Sequence, residues 1–280
     1  MNTLKGKKCL ITGASSGLGL EITKLLINEG AEVIMLCRNE MKSKAIIDNL
    51  HKVYPDAKIK LELADFSSLK SLNTFMESFK KRYSSLDILI NNAAVLKAKA
   101  TKTIDGFESM FQVNYLAPFL LTNSLIELLK SGNDPQILNI ALPAEKYQLD
   151  FNDLQSLKHF KSMDTFLRTK NCHLIFSLEL ANRIRNTGIK VLTGIPNQRP
   201  FRSKLGREMP LLMGLAWNLI SVRIEKIAGN IPSILSRDDL DTGSLFKGLK
   251  TVSVTSYWQD AGIRERLWTE TEKLLEASAN

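Results

Sequence analysis

From Lys8 to Gly194 the chain repeats one pattern, a short run of consecutive apolar residues followed by a segment of helical period. The apolar runs are KCLIT (8–12), EVIMLC (32–37), KIKLEL (58–63), DILI (87–90), QILNIA (136–141) and IKVLTG (189–194). The helical segments between them cover 17–28, about 40–53, 67–82, 106–130 and 164–186. Strands that are apolar throughout, instead of alternating, need cover on both faces. The alternation of strand and helix therefore predicts an α/β fold with a doubly wound parallel sheet and helices on both faces. Such a sheet binds its ligand beyond the carboxyl ends of its strands, so function is expected in the loops that follow them. After Pro196 the pattern loosens, with helices predicted near 209–228 and 261–276.

The first of those loops is Thr12-Gly13-Ala14-Ser15-Ser16-Gly17-Leu18-Gly19. It leaves a strand and opens a helix, the placement that a phosphate-binding glycine motif of Rossmann type requires. Gly13 permits the tight turn, Gly17 lets a pyrophosphate approach the backbone, and Gly19 lets the helix pack close to the sheet. The helix N-terminus adds unpaired N–H groups and a positive dipole end. With Ser15, Ser16 and Leu18 these glycines form the expected cofactor loop. At the end of the second strand, where a carboxylate would grip a ribose and repel a 2′-phosphate, the chain has Cys37, Arg38 and Asn39. A guanidinium pairs with phosphate through two parallel hydrogen bonds, so NADP(H) is favoured over NAD.

Composition narrows the alternatives. The 280 residues suit a single domain spanning 1–280 and large enough to bury a core without disulfides or metals. With 44% hydrophobic and 24% charged residues it is no collagen-like, disordered or disulfide-scaffold chain. Three cysteines without a CxxC pair, and no zinc spacing of His and Cys, fit a reducing compartment and predict no metal site. The net charge of +9 is scattered, densest at Arg199, Arg202, Lys204 and Arg207, and no nucleic-acid-binding pattern accompanies it. The residues before Lys8 leave no room for a signal peptide's apolar segment, and the longest apolar stretch, 211–222, is too short to span a bilayer. No nucleic-acid partner and no transmembrane segment are expected, and the expected location is cytoplasmic.

The TGxxxGxG spacing resembles the short-chain dehydrogenase/reductase family, and the resemblance continues in order along nearly the whole chain. It runs through Cys37-Arg38-Asn39, Leu63-Ala64-Asp65-Phe66, Asn91-Asn92-Ala93-Ala94, Val113-Asn114, Phe151-Asn152-Asp153-Leu154, Lys170 with Leu178-Glu179-Leu180-Ala181, and Leu267-Trp268. Together these resemble the retinol dehydrogenase-like branch, which includes the WW-domain oxidoreductase. The resemblance implies that Asp65 meets the adenine amino group and that the loop from Asn91 through Ala93 to Ala94 lines the adenine ribose. It implies a helical substrate lid over about 196–228, a lipophilic small-molecule substrate, and homo-oligomers formed through the long helices.

The family's reaction uses a Tyr as proton donor, a Lys four residues later that lowers the Tyr pKa and holds the nicotinamide ribose, a Ser that orients the substrate oxygen, and an Asn that holds a relay water. Here Asn114 and Lys170 match, but the Tyr position is Phe166 and the Ser position is Ala141-Leu142. Phenylalanine has no exchangeable proton. A positioned general acid contributes about 10²–10⁴ in rate, so the remaining set predicts impaired chemistry. Tyr147, Lys146 and His159 are the nearest titratable candidates for a displaced donor. Cys172 and His173 read as packing or surface residues turned away from the Lys170 face, and Asp87 and Glu225 as cap and surface. Three functions compete: an NADP(H)-binding pseudoenzyme, an active NADP-dependent oxidoreductase on a lipophilic carbonyl or alcohol with a displaced donor, and a cofactor-free interaction protein.

Overall fold

The computed structural model describes residues 4–141, 144–195 and 228–279. Its elements begin with β1 (Lys8–Thr12), α1 (Gly17–Asn28), β2 (Glu32–Cys37), α2 (Glu40–Val53), β3 (Ile59–Leu63), α3 (Leu69–Arg82) and β4 (Ile88–Asn91). A continuous rod follows, built of α4 (Ser109–Phe111), a π-helical turn (Gln112–Leu116) and α5 (Ala117–Lys130). Then come β5 (Gln136–Ile140), α6 (Ser162–Arg183), a 3₁₀ turn (Arg185–Thr187) and β6 (Lys190–Ile195). The remaining described elements are α7 (Asn230–Leu235), β7 (Leu245–Lys247), β8 (Lys250–Val252), α8 (Ser256–Gln259) and α9 (Ala261–Ala279).

The strands form one sheet in the order β3-β2-β1-β4-β5-β6-β7-β8, parallel throughout except for antiparallel β8. Successive residues of a strand feed opposite cores, as period-two geometry requires. Leu10, Leu36, Leu89 and Ile137 join α3, α5, α6 and α9 on one face. Ile11, Met35, Ile90 and Leu138 join α1, α2 and α7 on the other. The chain thus has the doubly wound α/β fold that the alternation predicts. The order reverses between β1 and β4, which leaves a crevice at their carboxyl ends.

Some boundaries differ from the sequence reading. The predicted helix over 106–130 starts at Ser109 and contains the π turn, while the one over 164–186 starts at Ser162. The β7–β8 hairpin is absent from that reading, because three-residue strands carry too little periodicity. Gly248, at φ +65°, makes the turn between them. Asp87 is no helix cap. Its buried carboxylate accepts from Lys8 N at 2.7 Å and Asn133 N at 2.6 Å, pinning β1 to the turn before β5. The predicted lid over 196–228 lies, except for Ala228, outside the described residues, as do Leu142, the 199–207 cluster and Glu225.

The Trp268 ring is a main anchor of the C-terminal helix α9. The Trp268 ring meets Phe119 edge-on at 4.9 Å and Phe176 at 5.8 Å, and the Arg183 guanidinium lies 4.2 Å from its centroid. Its indole N–H donates to Glu272 at 2.7 Å. Trp268→Ala is expected to cost about 3–5 kcal/mol in urea denaturation; a loss below about 1 kcal/mol would show that α9 is not integral to the fold.

Candidate active site

The glycine loop fills the crevice where the strand order reverses. Gly13 stands at φ +69° and Gly17 at φ +55°, backbone that L side chains rarely adopt. A Cβ on Gly19 would lie 2.4 Å from Gly13 O and 2.6 Å from Asn92 Nδ2, so only glycine fits there. A Cβ on Gly17 would meet nothing within 4 Å, which leaves its outer side open. Ser16, at the N-cap of α1, makes no side-chain hydrogen bond to the helix. An approachable backbone and a helix N-terminus without a side-chain cap fit a phosphate ligand.

The loop is braced from β4. Thr12 Oγ1 accepts from Asn92 N at 3.0 Å and Ala93 N at 2.9 Å, and Asn92 Nδ2 donates to Thr12 O at 2.9 Å. Asn91 itself turns inward, donating to Thr122 Oγ1 and Asn139 Oδ1, each at 2.8 Å. Only its backbone stands at the strand end. Thr12 and Asn92 thus have a bracing role that the sequence reading of these loops does not assign, although their places beside Gly13 and Asn91 are the available signal.

On the adenine side, Arg38 is exposed and has no ion-pair partner among the described residues. Asn39 caps α2, its Oδ1 accepting from Lys42 N at 2.9 Å. Burial pushes the Cys37 thiol up, partly offset by hydrogen bonds from Ser43, Ser15 and the Ala14 backbone. Asp65 Oδ1 accepts from Ser67 N and Oγ at 2.9 and 2.6 Å, so one carboxylate oxygen is engaged in the loop's own turn.

The π turn carries two bracing amides. Gln112 Nε2 donates to Phe66 O at 3.2 Å and to Asp105 at 2.6 Å. Asn114 Oδ1 accepts from Val95 N at 2.7 Å, while its Nδ2 donates to Val95 O at 3.0 Å and Thr169 Oγ1 at 3.1 Å. Asn114 therefore ties the loop after β4 to α6.

Along α6, Phe166 and Lys170 are one turn apart, with Lys170 Nζ 6.0 Å from the phenyl centroid. The ammonium donates to Ile140 O at 3.1 Å, at the end of β5. Burial lowers the Lys170 pKa to about 8. His173 corrects the sequence reading, since a residue three positions on shares the Lys170 face. Its Nε2 lies 3.1 Å from Asn139 Oδ1, and burial followed by the Lys170 charge keeps its pKa well below the usual value. Cys172 is buried too. Tyr147 is half-buried, and its backbone carbonyl accepts from Asn171 Nδ2 at 2.7 Å. His159 and Lys146 are exposed.

The depressed Lys170 pKa fixes a sign for stability. The unfolded chain holds this proton up to about pH 10.5 and the folded chain only to about 8. The burial penalty is therefore full below pH 8 and fades as pH rises towards 10.5. Lys170→Met should stabilise the protein by a few kcal/mol at about pH 7 and by much less at about pH 10. Urea denaturation at the two pH values checks this, and an unchanged difference would contradict it.

Comparison with known proteins places this geometry. The short chain dehydrogenase family pattern matches residues 7–152. Retinol dehydrogenase 12 of Mus musculus is 32% identical over 278 residues, covering 97% of this chain and 87% of that protein. Retinol dehydrogenase 13 of Mus musculus is 30% identical over 285 residues, covering 98% and 85%. Among solved structures, an uncharacterized protein from Mycobacterium Paratuberculosis superimposes with TM-score 0.73 at 23% identity, covering 98% of this chain and 94% of that one. The Pseudomonas aeruginosa RhlG/NADP active-site complex does so with TM-score 0.70 at 22% identity, covering 88% and 97%. The glycine loop, its brace from β4 and the extent of these matches lead to one conclusion: the chain belongs to the short-chain dehydrogenase family and is retinol dehydrogenase-like.

Proposed function

We propose that the chain binds NADP(H) in the crevice between β1 and β4 and that its oxidoreductase chemistry is strongly impaired. The observation that carries this reading is the pairing of Lys170 with a phenyl ring, where the family resemblance expects a phenol. When bound, the nicotinamide would supply or accept a hydride. The loop from Gly13 to Gly19, with Ser15, Ser16, Gly17 and Leu18, would hold the pyrophosphate. Arg38 would take the 2′-phosphate, with Asn39 beside it, and Asp65 the adenine. The backbone of Asn91 and Ala93 would line the ribose. Lys170 retains ribose binding as a role, and Asn114 keeps α6 in register with the loop after β4. The Lys170 ammonium is committed to Ile140 O and the Asn114 amide to Val95 and Thr169, so neither takes the place of the missing phenol. Ala141 also lacks the hydroxyl that would orient a substrate oxygen.

Cofactor choice is testable by titration with NADPH and NADH, following nicotinamide fluorescence. NADPH is expected to bind more tightly, and Arg38→Asp to reverse the preference, since a carboxylate repels the 2′-phosphate. Equal affinity for the two cofactors would remove Arg38 from this role.

A second reading has its own support. Asn171, next to Lys170, donates to Ala144 O at 2.6 Å as well as to Tyr147 O, which clamps the Tyr147 loop against α6. Tyr147 would then serve as a displaced donor for a lipophilic carbonyl or alcohol, the substrate class suggested by the names of the relatives. Turnover of all-trans-retinal with NADPH separates the two. The first reading expects a trace rate in the native protein and a gain of about 10² or more in Phe166→Tyr. Ordinary turnover that Tyr147→Phe abolishes would replace it with the second.

A further inference from the structure

A cleft of about 210 Å³ opens beside the C-terminal end of α6, closed on its other sides by the Thr242–Gly243 turn, Val254 and the α8–α9 corner. It lies away from the nucleotide crevice. Ala181, in its wall, is eleven residues beyond Lys170 along α6, about 16 Å of helix. The volume is below the roughly 300–1,000 Å³ of sites for drug-sized ligands, so an occupant would be small.

The lining has two parts. Leu178, Ala181 and Val254 supply apolar surface, while Asn182, Arg185 and Arg264 supply donors. No carboxylate among the described residues lines it. Arg185 is exposed and makes no ion pair with any described residue. Arg264 is only partly neutralised. Its Nε lies 3.6 Å from Glu179 Oε2, and Glu179 also pairs with Arg183 at 2.8 Å. That Arg264 Nε is buried with no hydrogen-bond partner. A buried donor without an acceptor is costly, and a ligand that only accepts hydrogen bonds relieves it. A cationic rim over an apolar floor selects an anion with a hydrocarbon part.

We propose that this cleft binds a small carboxylate with a short apolar tail, the carboxylate held by Arg185 and Arg264 and the tail lying on Leu178, Ala181 and Val254. The site is independent of nucleotide binding and of the fate of the redox chemistry.

Calorimetry on the full chain tests it, with hexanoate as probe and hexanol and inorganic phosphate as controls. Hexanoate is expected to bind saturably with one site per chain. Hexanol, lacking the charge, and phosphate, lacking the tail, should each bind at least about tenfold more weakly. Arg185→Gln removes an exposed side chain with no ion pair, so the melting temperature should hold while hexanoate affinity falls by about tenfold or more. Arg264→Gln should do the same, and Arg185→Gln keeps the test decisive if loss of the Glu179 pair unfolds that variant. Absence of saturable hexanoate binding, or undiminished binding in Arg185→Gln, would overturn the site. Equal binding of hexanol would overturn the role of the guanidinium groups, and equal binding of phosphate the role of the apolar floor.

Discussion

The closest backbone approach at the crevice sets much of what surrounds it. The first turn of α1 comes so near to Gly13 and Asn92 that position 19 has no room for a side-chain carbon. That approach lets Asn92 reach back to Thr12, which couples the ends of β1 and β4 across the reversal of strand order. The helix N-terminus is thereby held at a fixed place over the sheet. Without that contact the crevice left by the reversal of strand order would have no helix N-terminus fixed at its edge.

The other half of the site is a polar seam through an otherwise apolar core. Asn91, Thr122, Asn139 and His173 are linked side chain to side chain, and Lys170 reaches the carbonyl of Ile140 beside them. Such groups are expensive to bury, and the ammonium most of all. Their arrangement aligns β4, β5 and α6 through directional bonds that apolar packing cannot supply. Phe166 lies one turn before Lys170 and adds ring surface beside its ammonium, without adding a proton.

Much of the fold was legible because its strands are fully buried: runs such as EVIMLC and QILNIA announce a sheet covered on both faces. The glycine loop was legible for a similar reason, since steric demands on Gly13 and Gly19 are local. What escaped were features decided by tertiary contact. Asn91 looked like a loop residue yet points inward, because Thr122 and Asn139 offer it partners from distant parts of the chain. His173 lies on the Lys170 face because position i+3 is a helical neighbour, and its partner Asn139 comes from β5, beyond any local pattern. The β7–β8 hairpin escaped because β7 is held by β6 and β8 by β7, and neither three-residue strand carries a pattern of its own.

The π turn between α4 and α5 has a consequence for the rod that contains it. One extra residue in a helical turn advances the phase of everything after it by about 100°. The same rod can therefore tie Gln112 to Phe66 O and Asn114 to Val95 and Thr169 while Phe119 meets the Trp268 ring of α9. A straight α-helix of this sequence would satisfy one of these surfaces and rotate the other out of register. The local defect in winding is what allows one continuous element to serve as both wall of the site and beam of the core.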